Sequence, residues 1–392
     1  MILKTIRNVF TVLAALILGG CNEPDQVIGP KVETKQATSP TPPQVLNVGV
    51  FLPLEGPVAA SGDSMLNGMI LAAEQANAAG GVLGHAVRLV VRDTKSRPDR
   101  VEKAVRDLIT EDKVASVIGG LSGSGVDASS VAEELQVPLI VPGSTMPGVQ
   151  SNEPWTIRFC YSDFLSGRVM AKFAGSLEAD HAVVLYDPGS DYAKALALAF
   201  GKAFKSKRGH KIVGEPFHAG TTEFAEHIQE IKKINPDVVY LPADASLAAA
   251  ILVQARAEGL EIPFLGTATW DCEEFLQEAG EAARNCYLPG RYVPSGESET
   301  ARAFLGKFLN KYKKAPTAMA ALGYDSLRVF LEAYKNAKGQ TGEPLRDALQ
   351  TTTSFEGATG PITVDPVLSV SKAIPILKVK DGEFAFVETL EP

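Results

Sequence analysis

Short apolar runs alternate with helix-forming segments along most of the chain, and they do so in two successive series. The strand-like runs of the first series lie at 46–52, 86–91, 114–118 and 138–141, and those of the second at 182–186, 211–215, 238–241 and 264–266. Strand–helix–strand units with short connections build parallel sheets. The pattern therefore predicts an α/β protein with two doubly wound parallel-sheet lobes.

The sequence after Gly290 predicts a different ending. Two helices are expected over 299–311 and 318–337, followed by strands at 361–364 and 373–379. A final pair of strand-like segments lies on either side of Lys380-Asp381-Gly382. An Asp-Gly pair favours the two-residue turn of a β-hairpin. We therefore expect the chain to finish as a hairpin.

The first 20 residues have the pattern of an export signal. Lys4 and Arg7 precede an apolar run at 9–18 that is too short to span a bilayer. Leu18-Gly19-Gly20-Cys21 resembles a bacterial lipobox, which implies a lipidated Cys21 on an exported protein; a plain signal peptide with an incidental Cys21 is the alternative. Residues 21–45 are rich in proline and polar residues without apolar periodicity, so we predict a disordered tether between membrane and folded body.

Composition and motifs argue against several other functions. The net charge is −8 with no basic block, which argues against a nucleic-acid partner. No Walker A or Gly-x-Gly-x-x-Gly loop is present, so no nucleotide cofactor is expected, and the five histidines show no pairing that suggests a metal site. Gly120-Leu121-Ser122-Gly123-Ser124 approaches a hydrolase nucleophile elbow but lacks its last glycine, so a secreted enzyme stays an alternative.

Several short motifs are specific through their order and spacing. They are 48–57 around the first strand, Asn77-Ala78-Ala79-Gly80-Gly81, Val117-Ile118-Gly119-Gly120, 137–145, Gly323-Tyr324-Asp325-Ser326 and 355–362. Together they resemble the periplasmic binding proteins of the branched-chain amino acid/amide type, and the resemblance covers nearly all of 45–387.

The resemblance implies a fold, a division of the chain and a function. The fold is the type I periplasmic binding fold, whose lobes are joined by three hinge crossings. Lobe one would comprise 46–160 plus 291–362, and lobe two 161–290 plus 363–392. A ligand would bind between the lobes at the carboxyl ends of the strands and be enclosed as they close. The protein would be a receptor, not an enzyme, that serves an ABC permease and its ATPase; a ligand sensor not coupled to transport is the alternative.

Two strand ends of lobe one are expected to contact the ligand. Ser122 and Ser124 follow the strand at 114–118 and open a helix, where hydroxyl and N–H groups favour a carboxylate; an ordinary capped turn is the alternative. The sequence does not choose between these two serines. Gly143, Ser144 and Thr145 end the next strand, and the resemblance implies that the Gly143 backbone and the Thr145 hydroxyl contact the carboxylate and amine of the ligand.

Lobe two is expected to supply the opposite wall of the cleft. The resemblance places Tyr192 over the ligand, although packing within the lobe is the alternative. Asp244 follows the strand at 238–241 and could pair with a ligand ammonium or cap the next helix.

At one position the chain departs from the family pattern. Amino acid binders of the family carry a Glu where this chain has Ala268, so a ligand ammonium needs another partner. Asp244 and Asp271 are the candidates, and Trp270 is a candidate surface for stacking. An amino acid is therefore the leading ligand, and an amine-free carboxylate or an amide is the alternative.

Three cysteines remain if Cys21 is acylated. Cys272 and Cys286 are close in sequence, and an exported protein can hold disulfides. We therefore predict a Cys272–Cys286 disulfide and a buried free thiol at Cys160.

Overall fold

The computed structural model describes residues 44–391 apart from 122, 146–148, 150–153, 207, 295–297 and 365–369. The predicted signal peptide, most of the predicted tether, Cys21 and Ser122 lie outside these residues. Within them, no helix is long and apolar enough to cross a bilayer.

The strands are short and spread along the whole described chain. They are β1 Val45–Leu52, β2 Ala86–Asp93, β3 Val117–Gly119, β4 Leu139–Val141, β5 Thr156–Arg158, β6 His181–Tyr186, β7 Lys211–Pro216, β8 Val238–Tyr240, β9 Phe264–Leu265, β10 Cys286–Pro289, β11 Phe355–Gly357, β12 Gly360–Val364, β13 Val370–Ser371, β14 Ile374–Lys380 and β15 Glu383–Leu390.

Helices separate most of these strands. They are α1 Ala59–Ala78, α2 Val101–Thr110, α3 Ser124–Leu135, α4 Asp163–Ser176, α5 Asp191–Phe204, α6 Ala225–Ile234, α7 Ala245–Ala257, α8 Glu273–Ala279, α9 Glu299–Tyr312, α10 Ala318–Asn336 and α11 Glu343–Gln350. Several start at a Ser, Thr or Asp whose side chain accepts a hydrogen bond from the first turn, which fixes the start of the helix.

Two sheets form the body of the molecule. The first has the order β2-β1-β3-β4-β5 and is parallel throughout. The second has the order β15-β14-β10-β9-β8-β6-β7, in which β6 to β10 are parallel and the edge strands β14 and β15 are antiparallel. This architecture confirms the predicted fold of two doubly wound parallel-sheet lobes. Below, lobe one is the first sheet with the elements packed against it, and lobe two is the second sheet with the elements packed against it.

The strand β1 shows why the first sheet is covered on both faces. Its residues Leu46, Val48, Val50 and Leu52 are buried in one apolar cluster with α1 and α10, whereas Phe51 is buried in a second cluster with α2 and α3. Strands buried on both faces are typical of parallel sheets with helices on each side. The central strand is therefore fixed in position, and the loops at its end are held with it.

Helices α1 and α10 touch through their backbones. A Cβ atom at Gly68 would lie 1.9 Å from the Ala320 carbonyl oxygen, and one at Gly323 would lie 2.3 Å from the Met65 carbonyl oxygen. Such an approach is possible only where both helices present glycine. The two helices therefore form one closely packed pair on one face of the first sheet.

The end of the chain is the expected hairpin. Lys380 pairs with Glu383 across a turn in which Asp381 and Gly382 have φ values of 52° and 76°. Both values match the turn that an Asp-Gly pair favours. The sequence analysis missed α11, because this helix is only eight residues long and buries only two leucines.

The chain passes between the lobes three times, after β5, after β10 and before β14, and β11, β12 and β13 form a small third sheet that packs in the lobe-one core. The first two crossings are tied together, because the Tyr161 hydroxyl lies 2.9 Å from the Pro289 carbonyl oxygen and 3.1 Å from that of Gly290. Tyr161 is fully buried, so this contact is shielded from water.

Candidate functional site

A cavity of about 700 Å³ lies between the lobes, beyond the carboxyl ends of the parallel strands. Loops that follow β1, β2, β3 and β4 line one side, and loops that follow β8, β9 and β10 line the other. This is the position at which doubly wound sheets bind ligands. Its volume is within the usual range for a small-molecule site, about 300–1,000 Å³.

The lobe-one side of this cleft is mainly apolar. Its apolar lining residues are Pro53, Pro57, Val58, Pro98, Val101, Leu121, Val126 and Met319. Arg97 lies at the same wall, but it is exposed and forms a salt bridge of 2.6 Å with Asp99. The wall therefore favours the hydrocarbon part of a ligand.

Ser124 and Gly143 lie side by side on the lobe-one wall. The Ser124 hydroxyl donates to the Leu121 carbonyl oxygen at 2.7 Å and accepts from the Leu121 N–H at 2.8 Å. The hydroxyl hydrogen of Ser124 is therefore already bonded within the turn that precedes α3. Gly143 lines the cleft and is bridged to Leu121, so the two strand ends are held in register.

Ser144 and Thr145 lie behind that wall and do not line the cavity. Ser144 is fully buried, and Thr145 is 4% exposed. The Thr145 carbonyl oxygen accepts from the Asp163 N–H and from the Arg158 guanidinium, both at 3.1 Å. In this conformation Thr145 fixes the first crossing in place.

Two acidic residues predicted for the lobe-two wall do line the cleft. Asp244 is exposed, and one of its carboxylate oxygens caps α7 by accepting the Leu247 N–H at 2.9 Å. Asp271 is half-buried, and one of its oxygens accepts the Arg291 N–H at 3.0 Å. Burial raises the pKa of Asp271, although the Arg291 charge acts to lower it.

Two aromatic residues predicted to touch ligand do not line the cavity. Trp270 has no exposed surface, stacks on Phe275 at 4.9 Å between ring centroids and donates its indole N–H to the Ala243 carbonyl oxygen at 3.0 Å. The prediction that Trp270 stacks on a ligand is wrong, because the ring is part of the lobe-two core. Tyr192 packs in the same lobe, and its buried hydroxyl makes no hydrogen bond to a residue that the structure describes.

Arg291 is the cleft residue that sequence reasoning missed. It follows β10 at the second crossing, is 5% exposed and lines the cavity. The Nε atom of its guanidinium is buried without a hydrogen bond, and the contact of Arg291 with Asp271 is made by its backbone N–H, so no guanidinium hydrogen bond or salt bridge is found among the described residues. The sequence feature that could have indicated it is Pro289-Gly290-Arg291, in which an arginine directly follows an apolar strand at a predicted crossing.

The predicted disulfide between Cys272 and Cys286 is wrong, because both residues are free thiols. The Cys272 sulfur lines the cleft and donates to the Thr269 carbonyl oxygen at 3.4 Å, whereas Cys286 is fully buried in the lobe-two core. Burial raises the pKa of each thiol to about 12, so both stay protonated. Cys160 is also a free buried thiol, as predicted.

The described residues contain no group of three or more His, Cys, Asp or Glu side chains placed to hold a metal ion. No histidine is found among the described residues that line the cleft. The described residues of the cleft therefore include one buried cation, several carboxylates and an apolar wall.

Comparison with known proteins gives one family and many relatives. The family model described as "Periplasmic binding protein" matches residues 45–383. A leucine-, isoleucine-, valine-, threonine- and alanine-binding protein of Pseudomonas aeruginosa is 26% identical over 324 residues, which is 82% of this chain and 86% of the relative.

Solved structures show the same similarity. A leucine binding protein from Thermotoga maritima is 30% identical, with a TM-score of 0.81. The match covers 89% of this chain and 99% of the Thermotoga chain. A branched-chain amino acid transporter substrate binding protein from Streptococcus pneumoniae, solved with isoleucine, has the same identity and TM-score and covers 89% of this chain and 100% of its own. A solute binding protein from R. palustris in complex with benzoate is 22% identical with a TM-score of 0.74, covering 89% of this chain and 97% of its own, and shows the fold alone.

Proposed function

Because this chain belongs to the periplasmic binding protein family, we propose that it is an exported receptor that holds a small ligand by its carboxylate and passes it to an ABC permease and its ATPase. An aliphatic amino acid is the leading ligand. A lipid anchor at Cys21 would keep the receptor at the membrane that contains the permease.

The proposal rests on one observation, which is that the Arg291 side chain is buried at the cleft without a hydrogen-bond partner among the described residues. A guanidinium is always charged and has five N–H donors, and burying it without a partner is costly. Arg291 is nearly buried, unpaired within the described residues and open to the cleft. A ligand carboxylate would accept two parallel hydrogen bonds from it, which is the strongest pairing open to either group.

The rest of the cleft is consistent with an amino acid that has a hydrocarbon side chain. The apolar lobe-one wall, with Val58, Leu121 and Met319, offers contact for that side chain. Asp271 is the better placed partner for an ammonium group, because it is half-buried beside Arg291, whereas Asp244 is exposed and caps α7. Several relatives are named for leucine, isoleucine and valine, which supports the same ligand class.

The experiment compares three molecules that share one side chain. L-leucine has both charges, 4-methylpentanoate lacks the amine and L-leucinamide lacks the carboxylate. At 100 times its dissociation constant, a ligand adds about 2.7 kcal/mol to the folded state, which raises the unfolding temperature of a protein of this size by about 4 °C. We expect L-leucine to give this increase and L-leucinamide to give none.

The other outcomes have distinct meanings. An increase with 4-methylpentanoate or benzoate but not with L-leucine would identify an amine-free carboxylate as the ligand, in keeping with Ala268 at the position of the family's Glu. An increase with L-leucinamide alone would refute the role of Arg291 as the anion partner.

Transport, sensing and catalysis are separated by two further measurements. ATP hydrolysis by the matching permease complex, stimulated by the loaded receptor, is expected for transport and not for a sensor. Turnover of a bound ester or amide would revive the hydrolase alternative; the Ser124 hydroxyl is already bonded to Leu121, which does not favour it as a nucleophile.

A further inference from the structure

The first crossing carries a carboxylate that is sealed inside the molecule. Asp163 is the first residue of α4, directly after the N-cap Ser162, and has no exposed surface. Neither of its carboxylate oxygens makes a hydrogen bond to a described residue, although the Thr145 side chain lies close by. A charge buried in this way is destabilising unless something nearby balances it.

The charges that act on Asp163 come from neighbouring elements. Arg158 at the end of β5 and Arg291 at the second crossing are the cations that act on it, and neither carboxylate oxygen of Asp163 is hydrogen-bonded to them. The other titratable groups that interact with it are neutral thiol and phenol groups, namely Cys160, Tyr161, Tyr192 and Tyr240.

The balance of these effects is unfavourable to the charged form. Burial raises the pKa of Asp163 to about 6, even though Thr145, Arg291 and Arg158 each act to lower it. The group therefore changes its charge in mildly acidic water.

Arg291 belongs to the same pair of linked crossings as this carboxylate, because the hydroxyl of Tyr161, two residues before Asp163, lies 3.1 Å from the carbonyl oxygen of Gly290. It lines the cavity, and it is also the cation that lowers the proton affinity of Asp163 most strongly. Any anion that binds Arg291 from the cleft cancels the charge that favours ionised Asp163. One guanidinium thus acts on two carboxylates, one in the protein and one in the ligand.

We propose that Asp163 and the ligand carboxylate compete for the charge of Arg291, so that the receptor takes up a proton as it binds an anion and binds anions more tightly in mildly acidic surroundings. This inference rests on the proposed carboxylate site.

The direction follows from linkage. When Asp163 is protonated, Asp271, which accepts the Arg291 backbone N–H, is the remaining carboxylate that acts on Arg291, and more of the guanidinium charge is available to the ligand. When Asp163 is ionised, a ligand bound to Arg291 reduces the positive charge that stabilises the Asp163 carboxylate. Asp163 then takes up a proton, or the ligand dissociates. Because the two equilibria are coupled through one free energy, each must affect the other by the same factor.

The test uses L-leucine and benzoate as probes in calorimetric titrations at pH 5.5 and pH 7.5. The carboxylate of each probe stays ionised over this range, since ordinary carboxyl pKa values are about 4 or lower. We expect whichever probe binds to bind about fivefold more tightly at pH 5.5, at the low end of typical coupling between sites.

Two variants with matched surroundings locate the effect. Asp163→Asn should bind with similar affinity at both pH values, close to that of the native protein at pH 5.5. Asp191→Asn should keep the full pH dependence, because Asp191 also follows a Ser N-cap at the start of a helix but is exposed and paired with Lys194 at 2.7 Å. Titrations of the native protein at pH 6.5 in two buffers of different ionisation enthalpy should also reveal proton uptake, with no variant needed.

The outcomes separate the two proposals. Binding of a probe with equal affinity at both pH values, or an unchanged pH dependence in Asp163→Asn, overturns the coupling while leaving the receptor function in place. Failure of both probes to bind at either pH counts against the proposed carboxylate site and, with it, against the coupling.

Discussion

Replacing Asp163 by Asn should make the ligand-free protein more stable at neutral pH, which is unusual for a change at a fully buried polar residue. The folded protein raises the pKa of this carboxyl from 3.8 to about 6 because the group is buried. The unfolded chain therefore loses its proton at lower pH than the folded chain does. The free energy of unfolding falls as pH rises from about 4 to about 6.

The size of the effect follows from the two pKa values. The difference between 3.8 and about 6, at 1.36 kcal/mol for each pH unit, gives ~3 kcal/mol of destabilisation at pH 7. Asn removes this penalty but also removes a negative charge from the start of α4, which contributes ~0.3–1 kcal/mol through the helix dipole. The expected net gain is ~2 kcal/mol at pH 7 and close to zero at pH 4.

Urea unfolding at pH 4, 5, 6 and 7 measures this difference directly. The matched control is Asp191→Asn, which removes the same charge at the start of α5, where Asp191 is exposed and its hydrogen bond with Lys194 lowers its pKa. The control should give no increase in stability at any pH. A loss of more than ~1 kcal/mol at pH 7 in Asp163→Asn would refute the reasoning, since it would mean that the ionised carboxylate is well compensated in the folded protein.

Three further changes test other parts of the structure. Arg291→Gln should weaken binding of L-leucine or benzoate by about 30-fold or more in calorimetry, whereas Arg97→Gln, at an exposed cleft residue already paired with Asp99, should change it by less than about threefold. Trp270→Ala should lower the free energy of unfolding, measured with urea, by ~3–5 kcal/mol, because it leaves a cavity in the lobe-two core. Near-native stability together with lost binding would instead indicate that Trp270 contacts the ligand. Peptide mapping without reductant should find Cys272 and Cys286 both alkylated, and a linked peptide pair would contradict the structure.

The fold could be predicted because periodic patterns are properties of short segments. The apolar runs at 46–52 and 182–186 lie in β1 and β6, and the turn at Asp381-Gly382 forms as its chemistry requires. The start of a helix is harder to predict where no capping side chain marks it, as for α1, which begins at Ala59. Its first turn has no side-chain cap to mark the boundary.

The site was harder to predict, because a side chain's direction depends on packing that no local pattern records. Trp270 and Asp271 are neighbours in sequence, yet the indole enters the lobe-two core and the carboxylate lines the cleft. Ser124 lies at the cleft as expected, but its hydroxyl is bonded to its own turn. Arg291 was overlooked because its importance comes from burial without a partner, which only three-dimensional packing reveals.

The contact between α1 and α10 affects the cleft from behind. Ser61 near the start of α1 and Met319 near the start of α10 both line the cavity, and they lie only about 10 Å and 6 Å along their helices from Gly68 and Gly323. A single methyl group at either glycine would force the two helices apart and carry those cleft residues with them. Ligand preference in such a receptor can therefore evolve through residues that never meet the ligand, by changing the spacing of a helix pair on the far side of the lobe.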